Sequence, residues 1–137
     1  TWRRLLRNRP LDVWMHEQDV RRAVGRPGNM DSAPAKHTAE YLAESLGYVL
    51  GKKVGAPTGT SLVLDMAGSE PFAFQIDENG RGQRVAPPAV PTATLHMDRE
   101  SFICLAGGRR TPESGAVHVE GDQELGARVL EQMAVTP

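Results

Sequence analysis

The stretch SLVLDMAGSEPFAFQIDENGRGQRV, residues 61–85, decides the fold class. Leu62, Leu64 and Met66 alternate with Ser61, Val63 and Asp65, and Phe72, Phe74 and Ile76 alternate with Ala73, Gln75 and Asp77. Successive side chains of a strand point to opposite faces, so this period of two predicts strands with one face covered and the other mostly wet, a pattern that favours antiparallel pairing. DENG at 77–80 reads as a hairpin turn, with RGQRV as the returning strand. Working outward, Ala93, Leu95 and Met97 alternate with Thr94 and His96, and Val117 and Val119 flank His118.

Helical signals surround these strands. Asp98 is placed to cap a helix through Phe102, Ile103, Leu105 and Ala106, stopped by Gly107-Gly108, and Asp122 to cap a last one with Leu125, Val129, Leu130 and Met133 on one face. Upstream, Pro10 suits the first turn of a helix over 11–24 that ends at GRPG, residues 25–28. Asp31 or Ser32 then caps a second helix running to about Leu50, with Leu42, Leu46, Val49 and Leu50 as its buried stripe. Helix, helix, three or four strands, helix, strand, helix is an α+β order: a small, mostly antiparallel sheet with helices packed on one face.

Composition narrows the function classes. The 137 residues allow one ordinary domain plus a short appendage. A net charge of −1 gives no electrostatic case for nucleic acid or a membrane surface. The single cysteine, Cys104, excludes an internal disulfide and points to a reducing cytoplasm. No apolar run is long enough for a membrane span. The opening, TWRRLLRNRP, lacks an initiator Met and reads as the interior of a longer protein, so a fragment is expected.

The first helix carries the candidate chemistry. At 100° per residue, Asp12, His16, Asp19 and Ala23 form a narrow stripe bordered by Met15 on one side and by Val13 and Val20 on the other, while Trp14, Glu17, Gln18 and Arg21 point away. The trio is thus expected inside an apolar face, where an unpaired carboxylate would be costly. Two readings stand open. In one, His16 is hydrogen-bonded to Asp12 or Asp19 and an arginine neutralises the surplus charge. In the other, Asp12 and His16 are metal ligands from adjacent turns and Asp19 orients the imidazole; a catalytic metal then needs another ligand from elsewhere.

DVWMHEQDVRRAVGRPG, residues 12–28, resembles the last helix of the DinB-like four-helix bundle in the mycothiol-dependent maleylpyruvate isomerase family of actinobacteria. YVLGKKVGAP, PTATLHMDRESFICLAGGRR and VHVEGDQELGARVL are similar to that family's sterol-carrier-protein-like C-terminal domain. The resemblance implies a bundle remnant over 1–28 and a sterol-carrier-like domain over 29–137. It implies Asp12 and His16 as ligands of a divalent metal, zinc being the expected one, with a third ligand on a helix upstream of Thr1. The family's isomerase has glutamate where Asp12 stands, a departure that bears on the particular reaction rather than on the metal site. The implied parent activity is a metal- and mycothiol-dependent isomerase or thiol transferase, with this fragment inactive alone and without cofactor of its own. The alternative is a module that holds an apolar ligand or dimerises, without catalysis.

Other residues are weighed beside these. Arg109 and Arg110, after a double glycine, are candidates for a substrate carboxylate or the anionic end of a thiol, against a solvated loop. Cys104 reads as a small core residue with nothing nearby to activate it. His37, His96 and His118 read as surface residues. GKKVGAPTG, residues 51–59, lacks phosphate-loop spacing. The helix around Val13, Met15 and Val20 needs a partner: the missing bundle helices, its own domain, or a second copy.

Overall fold

The computed structural model describes residues 1–136, which fall into two compact units, Thr1–Tyr41 and the chain from Leu42 onward. In the first unit, α1 spans Trp2–Ala23 and α2, Ala33–Ala43, begins. The first helix therefore starts well before Pro10, which sits inside it. Proline there removes one backbone donor, a loss that the 22-residue helix absorbs. The connecting loop folds back on α1: Gln18 Nε2 donates to the Gly28 carbonyl at 3.2 Å, and Asn29 Nδ2 to Glu17 Oε1 at 3.2 Å. Ser32 is the cap anticipated for α2, its hydroxyl accepting from Ala35 N at 3.3 Å.

The apolar face of α1 is not the one the valines suggested. Trp14 and Met15 are buried together with Gln18, whereas Val13 and Val20 are more than 60% exposed. The indole is by far the largest apolar surface on this helix, and burying it outweighs burying two valines. The Asp12, His16 and Asp19 stripe is displaced by roughly a third of a turn from the buried side, which leaves it open to solvent.

The second helix also differs from a single run to Leu50. After α2 the chain turns, with Ser45 Oγ donating to the Leu42 carbonyl, and resumes as α3, Leu46–Tyr48, continued by a π-helical turn over Val49–Lys53. A serine hydroxyl that bonds the preceding turn competes with the helical ladder. Leu42, Leu46, Val49 and Leu50 are nevertheless all buried, as the spacing required.

Five strands follow: β1 Ser61–Met66, β2 Phe72–Ile76, β3 Gly82–Val85, β4 Ala93–Met97 and β5 Val117–Gly121. The sheet order is β3-β2-β1-β4-β5. β1–β2, β2–β3 and β4–β5 pair antiparallel, as expected, but β1 and β4 are parallel neighbours at the centre. The β1–β2 and β2–β3 pairs are hairpins, whereas β5 turns back against β4 only after an intervening helix over Arg99–Ala106. The link from β3 instead returns the chain to the far side of β1, so β4 enters in the same direction.

The DENG turn forms as read. Asp77 Oδ1 accepts from the backbone N–H groups of Asn79 and Arg81, both at 2.9 Å, and Gly80 takes the left-handed conformation at φ +74°. Those bonds, the Arg81 N–H foremost, hold the Asp77 carboxyl below its ordinary range.

Register places Leu62, Leu64, Met66, Phe72, Phe74, Leu95 and Met97 on one face. That face meets α3, where Gly47 approaches Phe74, and α5, Gln123–Gln132, where Gly126 lies against Val119. α4, Arg99–Ala106, supplies Phe102 and Ile103, both fully buried. The two aspartate caps are in place: Asp98 Oδ1 accepts from Ser101 N at 2.7 Å and Asp122 Oδ1 from Leu125 N at 2.9 Å. The opposite face is wet only in part, because Ser61, Val63, Ala73 and Thr94 are buried while Asp65, Gln75, His118 and Glu120 are exposed.

Candidate functional site

On α1 the sequence-derived trio forms one continuous ladder of charges. Arg9 Nη1 donates to Asp12 Oδ2 at 3.4 Å. Asp12 Oδ1 lies 3.4 Å from His16 Nε2, Asp19 Oδ2 lies 3.8 Å from His16 Nδ1, and Arg22 Nη1 donates to Asp19 Oδ1 at 3.4 Å. The i, i+3 and i, i+4 spacings put all five on one stripe of the helix surface. The side chains of Asp12 and His16 are 52% and 69% exposed, so these pairs add little stability. The arginine-neutralised arrangement of the first reading is present. The same geometry turns one imidazole nitrogen to Asp12 and the other to Asp19, the disposition in which one nitrogen can ligate while the second is oriented.

An acid and an imidazole one turn apart are suitable donors for a divalent metal in chemistry, and both are accessible. They are short in number: among the described residues no group of three or more His, Cys, Asp or Glu side chains is arranged to hold a metal ion. Two donors fall short of the three protein ligands that a catalytic metal takes.

The second candidate region lies in the sheet unit. A cleft of about 600 Å³ is lined by the end of α4, the 107–115 loop, β5 and α5. Cys104 and the Arg109–Arg110 pair come together there with apolar walls from Leu105, Val117, Leu130 and Ala134. Arg110 Nη2 donates to Glu100 Oε1 at 3.0 Å, and Arg109 Nη1 to the Gly107 carbonyl at 2.8 Å. Glu100 first, and then the Cys104 sulfur, raise Arg110 above its already high ordinary value. Cys104 is buried, as expected of a core residue, but it does not lack polar company: the Arg110 guanidinium interacts with its sulfur. Glu113 and Glu131 also line the cleft, so its charge is mixed.

A third grouping escaped the sequence reading. His96 lies partly exposed on the polar face, its Nδ1 2.9 Å from Asp65 Oδ2 and its Nε2 3.1 Å from Glu120 Oε2. His118 stands beside it, the ring centroids 5.9 Å apart. Alternation assigns each of these residues to the polar side of its strand. What joins them is register, Asp65 opposite His96 and His96 opposite His118, and one sequence does not contain it. His37 is partly exposed, its Nε2 3.0 Å from the Arg7 carbonyl.

No curated protein matches the sequence. Among solved structures, the chain is similar to the inverting sec-alkylsulfatase of Pseudomonas sp., with TM-score 0.51 and 12% identity over 67% of this chain; it spans 16% of the length of that enzyme. It is also similar to the UbiJ-SCP2 ubiquinone synthesis protein, with TM-score 0.47 and 15% identity over 69% of this chain and 91% of that one. Sterol carrier protein 2 like 2 from Aedes aegypti gives TM-score 0.45 and 18% identity over 67% of this chain and 96% of that one. At such identities likeness bears on fold alone. No helix among the described residues is long and apolar enough to cross a membrane. The family profile described as MDMPI C-terminal domain matches residues 36–128, from within α2 into α5. That match takes in well over half of the sequence, and the chain belongs to the maleylpyruvate isomerase C-terminal domain family.

Proposed function

We propose that this chain is the C-terminal part of a cytoplasmic, divalent-metal- and mycothiol-dependent isomerase or thiol transferase. The observation that carries the reading is the exposed ladder on α1, with Asp12 Oδ1 3.4 Å from His16 Nε2. Asp12 and His16 would hold the metal, zinc being the expected one, and Asp19 would take the second imidazole N–H and keep the ring in place. A metal bound there supplies a Lewis acid or lowers the pKa of a coordinated thiol. The remaining ligand comes from bundle helices upstream, which would also cover Leu6, Val13 and Val20, exposed at seven-residue spacing on α1. In this reading α1 and its loop, residues 1–28, belong to the bundle and 29–137 to the C-terminal domain. The fragment alone then binds metal weakly and is inactive.

The test is metal content of the full-length protein, purified without chelator, in wild type and in Asp12→Ala and His16→Ala variants. Loss of bound metal in both folded variants is expected, with a drop of at least about 100-fold in affinity, since even outer-shell changes cost 10- to 100-fold. Unchanged metal content would remove the ligand assignment.

The cleft favours a second reading, a module that holds a small apolar ligand through Leu105, Val117, Leu130 and Ala134, with Arg109 and Arg110 at an anionic end. Mass spectrometry of an organic extract of purified protein should then show a bound amphiphile that is reduced in a Leu130→Glu variant. An extract with no such species sinks this reading and leaves the first untouched.

A further inference from the structure

His96 occupies a position that only one protonation state satisfies. A neutral imidazole has one N–H and one lone pair, so it can donate to a single acceptor. Both of its nitrogens here face carboxylate oxygens at hydrogen-bonding distance, Asp65 Oδ2 at 2.9 Å and Glu120 Oε2 at 3.1 Å. Ionised carboxylates only accept, so both contacts can be hydrogen bonds only when His96 is the imidazolium. The titratable groups facing it from the neighbouring strands are Asp65 on β1 and His118 and Glu120 on β5.

We propose that His96 is a pH-operated latch that fastens the edge strand β5, and the α5 helix that follows it, to the centre of the sheet. β5 pairs with β4 alone and ends the sheet. The charged ring adds a second attachment by bridging Glu120 on β5 to Asp65 on β1. When the ring loses its proton, one of the two contacts must go. The Glu120 arm is the weaker, being longer and 72% exposed against 52% for Asp65. Its release loosens the strand that carries Val117 and leads through the Asp122 cap into α5, and Val117, Leu130, Glu131 and Ala134 are walls of the cleft. Occupancy of the cleft, whatever its ligand, would in this way respond to pH.

The direction of the effect follows from linkage. Partial burial disfavours the charged ring, but the hydrogen bonds and charges of Glu120 and Asp65 outweigh it and raise His96 above its ordinary 6.5. A group whose folded pKa is raised contributes stability that is complete below its unfolded value and is lost as pH rises through the folded value. The latch is therefore closed below the ordinary histidine value of 6.5 and opens as pH rises through the raised one.

The experiment is an NMR titration of the histidine rings with amide hydrogen exchange of β5, corrected for intrinsic exchange, in wild type, Glu120→Gln, His96→Gln and His118→Gln. Expected are a His96 ring that titrates above 6.5, a lower value in Glu120→Gln, and β5 protection that falls roughly two- to fivefold through that titration, the size of an exposed ion pair. The step should vanish in His96→Gln and persist in His118→Gln. A His96 ring titrating at or below 6.5, or β5 protection that does not follow its charge, would overturn the proposal.

Discussion

Phe102→Ala lowers the unfolding free energy by about 3–5 kcal/mol, the cost of emptying a fully buried aromatic position whose surroundings close only in part. Phe102 is 0% exposed, on the helix capped by Asp98 and next to the equally buried Ile103. Domains of this size are stable by only about 5–15 kcal/mol, so a large share of the total is removed. The melting temperature should fall by roughly 10–20 °C. Phe102→Leu, which retains most of the volume, should cost about half as much. Thermal and urea unfolding followed by circular dichroism measure both. A loss under about 1 kcal/mol for the alanine variant would mean that α4 does not pack into the core as described.

Gly47→Ala is expected to destabilise by about 2–3 kcal/mol, the reverse of what helix propensity alone predicts. Alanine in place of a helical glycine normally stabilises by about 1 kcal/mol. Here a methyl group at residue 47 would stand 2.5 Å from the carbonyl oxygen of Gly82 and 3.1 Å from Phe74 Cδ1. The first obstacle is backbone of the returning hairpin strand, which cannot rotate away as a side chain can, so α3 and β3 must separate. Gly82 meets the backbone of Gly47 in the same way, which makes this a glycine-to-glycine contact between helix and sheet. Urea titration of the variant gives the sign directly, and a stabilised Gly47→Ala protein would rule the contact out.

Much of the domain is legible in the amino-acid sequence. The period of two over 61–66, 72–76 and 93–97, the Asp77-to-Gly80 turn, and the Asp98 and Asp122 caps are local patterns, set by side-chain alternation and by hydrogen bonds spanning two to four residues. Such signals do not depend on what the chain meets later. The candidate ligands Asp12, His16 and Asp19 are adjacent for the same reason, because helical spacing alone makes them neighbours.

Other features were decided only when distant segments met. The sequence determined that α1 has a polar stripe at Asp12, His16 and Asp19, but which of its faces is buried depended on where Trp14 could be covered. It determined the strands, but not that β4 would lie parallel to β1, since strand order depends on the route of the connection rather than on strand composition. The partnership of His96 with Asp65 and Glu120 arises from register across three strands, and the meeting of Arg109, Arg110 and Cys104 with Leu130 arises from the docking of α5 beside α4. The physical reason is common to all four. Alternation and capping act over a few bonds and are written in consecutive residues, whereas burial and electrostatic pairing act between surfaces that the chain brings together only on folding.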